Sequence, residues 1–293
     1  MSLSSPELPQ HHFDDGFQLP LIGLGTWTFG GRTTRDLNND DDRDMAAIEA
    51  AIQLGITHFD TAELYAAGYA ETLLGRVISQ RERARFVIAS KVWKTNLAYD
   101  AVLKACDASL ERLQTDYLDI YYIHWPNDAF PIGETMRALT RLVDQGLVRA
   151  IGMSNFTKER LAAAQAATPH SIRINQVQYN LRCRAPEELG LLEYAQSRNI
   201  VTLAWRALQL GEFAKDEEEP LRRLAAKYQR TPAQIALNWL VCHEKVGFLM
   251  TSRNPDHLSE NLGALGWRMD SEDFQRLSER FPGKGATPAE PLY

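Results

Sequence analysis

Four residues of this 293-residue chain combine side-chain type and position in a way that could move a proton. Asp60 follows Phe59, Tyr65 comes shortly after, Lys91 stands near the end of the apolar run 86–92, and His124 directly follows Tyr121-Tyr122-Ile123. A free tyrosine titrates near ~10 and is a poor acid at neutral pH. An ammonium ~4 Å from the phenol would favour the phenolate by about 4 kcal/mol at an effective dielectric of ~20, or about three pKa units. Paired with Lys91, Asp60 would keep the amine charged and aimed while offsetting part of that effect. His124 would orient a substrate oxygen beside the Tyr65 hydroxyl, and Tyr65 would protonate that oxygen as it becomes negative. Each residue alone has a plainer explanation: a half-buried core tyrosine, a surface lysine, a hydrogen-bonded core histidine. An acid, a phenol, an amine and an imidazole at one mouth are harder to explain by packing, because buried charges are costly unless paired.

The pattern around these residues says how they are brought together. Short apolar runs at 21–25, 56–59, 86–92, 118–123, 148–153, 172–177, 201–204 and 247–250 read as strands covered on both faces. Between them, apolar residues recur at helical spacing over 45–54, 70–78, 102–113, 134–145, 158–167, 187–198 and 232–243. Thr231-Pro232-Ala233-Gln234 carries a capping hydroxyl, a proline and an amide in the order that starts a helix, and Asn254-Pro255 repeats the start. Alternating strands and helices predict an α/β fold, a (β/α)8 TIM barrel of parallel strands, with an open doubly wound sheet as the alternative. The reading is one domain over 1–293, with the site at the carboxyl ends of the strands. Asp14-Asp15-Gly16 predicts a short hairpin before the first barrel strand. Residues 29–42 read as a long polar loop, and Pro282–Tyr293 as an irregular tail able to fold over a site.

Composition narrows the class of function. With 32 basic and 38 acidic residues, the net charge of −6 argues against nucleic acid or an anionic membrane as partner. No basic start followed by an apolar run opens the chain, so no secretory signal is expected. Cys106, Cys183 and Cys242 are widely spaced and odd in number, which fits buried thiols in a reducing cytoplasm rather than disulfides or zinc. No metal is expected, since His243-Glu244 lacks the second histidine of a zinc motif. A monomer or weak oligomer acting on a small molecule is the expected form.

Phe59-Asp60-Thr61-Ala62-Glu63-Leu64-Tyr65, with Gly68 and Glu71-Thr72-Leu73-Leu74-Gly75, resembles the signature of the aldo-keto reductase superfamily around its catalytic acid. Lys91 in Ala-Ser-Lys-Val-Trp and His124 in Ile-His-Trp-Pro match that family's other catalytic positions. Ile151 to Phe156, Asn175 to Asn180 and Ser252 to Asn261 match in order, so the resemblance runs from about residue 17 to 265. It implies a catalytic tetrad of Asp60, Tyr65, Lys91 and His124, and carbonyl reduction with a nicotinamide cofactor extended across the barrel mouth. NADP(H) is the favoured cofactor, with NAD(H) as the alternative. The resemblance places Ser154, Asn155 and Gln176 on the nicotinamide carboxamide and Trp205 on its ring, with Thr26, Trp27 and Asp60 nearby. It also implies Arg206 and Leu208 at the pyrophosphate, and Glu260 and Asn261 at the adenine. Thr251 and His257 stand where NADPH-selective members carry a lysine and an arginine, which leaves Ser252 and Arg253 as candidates for the 2′-phosphate.

Trp27, Phe29, Trp93, Trp125 and Phe130 fall on loops at the same mouth and suggest an apolar slot for aldehydes or ketones with apolar or aromatic groups. Three other readings compete. One is a slow-turnover cofactor-binding sensor, which the intact tetrad disfavours. Another is an NAD-dependent dehydrogenase of alcohols or sugars. The third is an unrelated barrel isomerase of phosphosugars, which would not need the matched nicotinamide motifs.

Overall fold

The computed structural model describes residues 8–214 and 219–281, so the tail Pro282–Tyr293 lies outside the described residues. A hairpin of β1 (Gln10–His12) and β2 (Gln18–Pro20) comes first. The barrel strands are β3 (Ile22–Gly25), β4 (His58–Asp60), β5 (Val87–Val92), β6 (Leu118–Ile123), β7 (Val148–Ser154), β8 (Ile172–Gln178), β9 (Val201–Trp205) and β10 (Val246–Met250). All pair in parallel, and β10 closes the ring by pairing with β9 and β3. Outside lie α1 (Asp41–Gln53), α2 (Tyr69–Ile78), α3 (Tyr99–Leu113), α4 (Ile132–Asp144), α5 (Lys158–Ala166), α6 (Ala185–Glu188), α7 (Leu191–Ser197), α8 (Glu219–Tyr228), α9 (Pro232–Val241), α10 (Pro255–Leu262) and α11 (Ser271–Arg280). The closed barrel is the architecture expected from the alternation; the open sheet is excluded.

The pleat decides which side chains enter the barrel, because residues two apart on a strand share a face. On β5, Ile88 joins the core beneath the helices while Ala89 joins a smaller cluster with Ile120, Tyr122, Ala150, Ile174 and Leu203. Lys91 is in phase with Ala89, Ser154 with Ala150, Gln176 with Ile174 and Trp205 with Leu203. Polar chemistry therefore occupies the upper inward positions, above an apolar fill. Phe13 and Leu19 of the hairpin pack into the same cluster and cover its lower end.

Several element ends differ from the sequence reading. The polar loop stops before Asp42, since Asp40 caps α1 by accepting from the Arg43 backbone N–H at 3.0 Å. Asp41, Asp42 and Asp44 then fall in the first turn, where the helix dipole favours negative charge. The span 187–198 is two helices, because Gly190 adopts φ +66° between them. Helices α8 and α11 were not expected; each buries little apolar surface, Leu221 and Leu224 in one and Leu277 in the other.

Gly247 sits in the closing strand, where a Cβ would collide with the backbone carbonyl of Leu21. Both atoms belong to the seam and neither can rotate away. Gly247→Ala is expected to lower stability by about 1–3 kcal/mol, read from urea unfolding. A midpoint equal to the parent's would show that the seam can widen.

Candidate active site

At the carboxyl end of the barrel the Lys91 ammonium is fully buried and donates to three oxygens. These are Asp60 Oδ1, the Thr61 carbonyl at 2.8 Å and the Tyr65 hydroxyl at 3.4 Å. The second Asp60 oxygen accepts from Gln176 Nε2 at 2.8 Å, across the barrel on β8. The Tyr65 ring meets the rings of Trp27 and His124 edge-on, with centroids 5.0 and 5.6 Å apart. Trp93 packs on the other side of His124 at 5.2 Å. The Trp93 backbone N–H is itself fixed by the Glu63 carboxylate at 2.5 Å.

Burial shifts Tyr65, Lys91 and His124 toward their neutral forms. It raises Tyr65 well above the usual phenol value, and the Asp60 carboxylate pushes the same way. Tyr65 was expected from sequence to titrate lower under the influence of Lys91; desolvation outweighs that effect, because the ammonium is bonded first to Asp60. Burial likewise lowers Lys91, opposed by Asp60. His124 falls well below its usual value through burial and then the Lys91 charge, so its imidazole is neutral at pH 7.

These groups open onto a cavity of about 830 Å³. Asp60, Tyr65 and His124 line it, and Lys91 lies behind them. Trp27, Ser154, Asn155, Gln176, Trp205, Arg206 and Leu208 also reach it, as do Ser252, His257, Glu260 and Asn261.

The sequence model of the aldo/keto reductase family matches residues 21–280. The chain belongs to that family. Methylglyoxal reductase YeaE of Escherichia coli is 31% identical over 280 residues, covering 94% of this chain and 96% of its own. The thermostable aldo-keto reductase Tm1743, solved with the inhibitor epalrestat, matches with a TM-score of 0.89 at 36% identity, over 93% of this chain and 99% of that one. An aldo/keto reductase from Klebsiella pneumoniae, solved with NADP and acetate, has a TM-score of 0.85 at 32% identity, over 96% and 98%.

In this aldo-keto reductase some residues expected at the site lie elsewhere. Thr26 is fully buried and does not line the cavity; its hydroxyl donates to the Asp60 carbonyl at 3.2 Å. Phe29 is also fully buried, beneath the Arg253 guanidinium at 4.8 Å. Phe130 lines a separate cavity of about 310 Å³ with Leu97, Pro131 and Phe156, so only Trp27, Trp93 and Trp125 supply the aromatic slot. Arg253 is absent from the cavity lining, because its guanidinium is bonded to the buried Asp44 carboxylate and to Thr28, whose hydroxyl accepts at 3.1 Å and carbonyl at 2.5 Å.

Other lining residues escaped the sequence reading, among them Thr28, Arg32, Thr33, Leu64, Ala207 and Leu237. Thr28 holds φ +77°, a strained value for a β-branched residue, and Arg253 fixes it there. The turn after Tyr65 is similarly strained, with Ala66 at φ +51° and Ala67 at φ +54°. Only the irregular backbone of these loops reveals them, since neither residue type nor spacing marks such positions.

Two outcomes follow. Arg253→Ala should release the Thr28 loop and weaken NADPH and NADH binding alike; a loss confined to NADPH would mean that Arg253 reads the 2′-phosphate after all. For His124, the unfolded chain takes a proton near pH ~6.5 that the folded site refuses. Stability is therefore lost as the pH falls below that value. Replacing His124 by Gln should make the slope of stability against pH between 5.5 and 6.5 shallower, by up to about 1.4 kcal/mol per pH unit. Equal slopes would mean that His124 protonates freely in the folded protein.

Proposed function

We propose that this chain reduces aldehydes and ketones to alcohols with NADP(H), with Tyr65 as proton donor. The observation that carries the reading is the meeting of Asp60, Tyr65, Lys91 and His124 at one cavity walled by Trp27, Trp93 and Trp125. The donor set of that cavity fits a nicotinamide dinucleotide. The Ser154 hydroxyl and the Asn155 and Gln176 amides offer donors and acceptors suited to a carboxamide, and Trp205 offers an aromatic wall. Arg206 and Leu208 would hold the pyrophosphate, while Ser252, His257, Glu260 and Asn261 on the loop and helix after β10 would hold the adenosine end. The Klebsiella relative was solved with NADP, which favours the phosphorylated cofactor.

When bound, the reduced nicotinamide supplies the hydride. Tyr65 carries its proton throughout the neutral range, because burial and Asp60 both hold the phenol protonated. Lys91, 3.4 Å from the hydroxyl, stabilises the negative charge left on Tyr65 as the proton departs. Asp60 and the Thr61 carbonyl keep the ammonium in that place. The Nδ1 of His124 is buried without a hydrogen-bond partner among the described residues. An unpaired acceptor is more readily tolerated there than an unpaired N–H, which assigns the N–H to Nε2 for donation to the substrate oxygen. The tryptophan walls favour carbonyl compounds with apolar or aromatic bodies.

Titration with NADPH and NADH, followed by absorbance loss with an aldehyde panel that includes methylglyoxal, tests the reading. Tyr65→Phe should still bind NADPH while turnover falls about 10²–10⁴-fold. Parent-like turnover would remove Tyr65 from its role. Cofactor binding with no carbonyl reduced by the parent would instead point to a sensor.

A further inference from the structure

Arg32 is an exposed residue on the loop between β3 and α1, and it lines the catalytic cavity. Two other arginines of the β3 loop and the loop after β10 are engaged, Arg35 with Asp41 and Arg253 with Asp44. The Arg32 guanidinium has no hydrogen-bond or ion-pair partner among the described residues.

Its backbone is nonetheless closely fixed. Gly31 holds φ +138°, and a Cβ there would run into the Thr34 carbonyl and the Asp36 amide. The Gly30 N–H is held by the buried Asp44 carboxylate at 2.7 Å. On the other side, the Ala66 N–H donates to the Arg32 carbonyl at 2.6 Å and the Ala67 N–H to the Thr33 carbonyl at 3.1 Å. The loop is thus bonded to the two residues that follow Tyr65, and Arg32 lines the same cavity as the proton donor. Arg206, the second arginine of the cavity whose guanidinium has no hydrogen-bond or ion-pair partner among the described residues, follows β9 and lies over the Trp205 ring at 5.4 Å, on the wall assigned to the cofactor. A guanidinium without a protein partner is suited to grip an oxyanion through two parallel N–H bonds.

We propose that Arg32 anchors an anionic group of the carbonyl substrate, so that aldehydes or ketones bearing a carboxylate or phosphate ester are preferred over neutral ones. The proposal rests on the reductase reading above and specifies its substrate class. The apolar body of such a substrate lies against the tryptophans, its carbonyl oxygen at Tyr65 and His124, and its anion at Arg32.

The test compares kcat/KM for 4-carboxybenzaldehyde and benzaldehyde in the parent, Arg32→Gln and Arg32→Lys, with the NADPH Kd measured for each. The parent should prefer the carboxylate about tenfold or more. Arg32→Gln should bring the ratio close to one, and Arg32→Lys, which keeps the charge but not the bidentate fork, should retain only part of it. No preference in the parent, or a ratio unmoved by Arg32→Gln, would overturn the proposal. So would an equal loss on both aldehydes with weaker NADPH binding, which would assign the guanidinium to the cofactor phosphates. If the parent reduced neither these aldehydes nor any other carbonyl compound with NADPH, the reductase reading itself would fall, and the substrate proposal with it.

Discussion

An ammonium with no exposed surface is among the most costly groups a protein can hold, and Lys91 is tolerated only because its protons meet Asp60, Thr61 and Tyr65. The ion pair draws on β4, β5 and the turn after β4, and Gln176 extends it across the barrel to β8. Removing Asp60 would leave a buried cation without its counter-charge, a loss of about 3–5 kcal/mol. The same contacts place the phenol. Stability and the proposed chemistry are therefore coupled here: the contacts that place the Tyr65 hydroxyl beside the ammonium also stabilise the buried lysine.

Around this rigid floor the loops are strained but braced. Positive φ values at Thr28, Ala66, Ala67, Asn155 and Arg206 cluster at the mouth. Others, such as Gln114, merely end helices. Each strained mouth residue has a specific restraint: Arg253 on Thr28, the Arg32 and Thr33 carbonyls on Ala66 and Ala67, the His124 carbonyl and Trp205 Nε1 on the Asn155 amide, and Asn180 Nδ2 on the Arg206 carbonyl. Asp44 stands behind the whole β3 loop, accepting from Gly30, Asn39 and Arg253. This buried carboxylate does for the loop what Asp60 does for the floor.

The barrel was legible because both-face burial makes its strands continuously apolar, and the grouping of Asp60, Tyr65, Lys91 and His124 because titratable residues stand at or just after those runs. Strand ends were less legible. Asp60, Ser154, Gln178 and Trp205 are the last residues of their strands, yet in sequence a polar or amphipathic residue after an apolar run looks like the start of a turn. Arg253 and Arg32 show a different limit. Composition says that both can bind phosphate or carboxylate, but only the folded chain shows that one guanidinium is bonded to Asp44 while the other has no partner among the described residues. Phe29 and Phe130 fail for a similar reason, since loop aromatics near a mouth can turn inward to the core or outward to a neighbouring cavity.

The directions of the pKa shifts describe how the site handles charge. Tyr65 is held protonated, and His124 neutral. The charges present before reaction at the floor are thus confined to the Asp60–Lys91 pair, which nearly cancels at a distance. In the proposed reaction, a substrate oxygen that becomes negative then faces an uncharged hydroxyl and an uncharged imidazole, with the ammonium one step behind. Such a floor discriminates weakly between charged and neutral substrates in the ground state and strongly between ground state and transition state, where preorganised donors have most effect. Discrimination among substrates must therefore come from the walls. There the tryptophans offer apolar surface, and Arg32, under the proposal, supplies a positive charge that the floor itself does not offer.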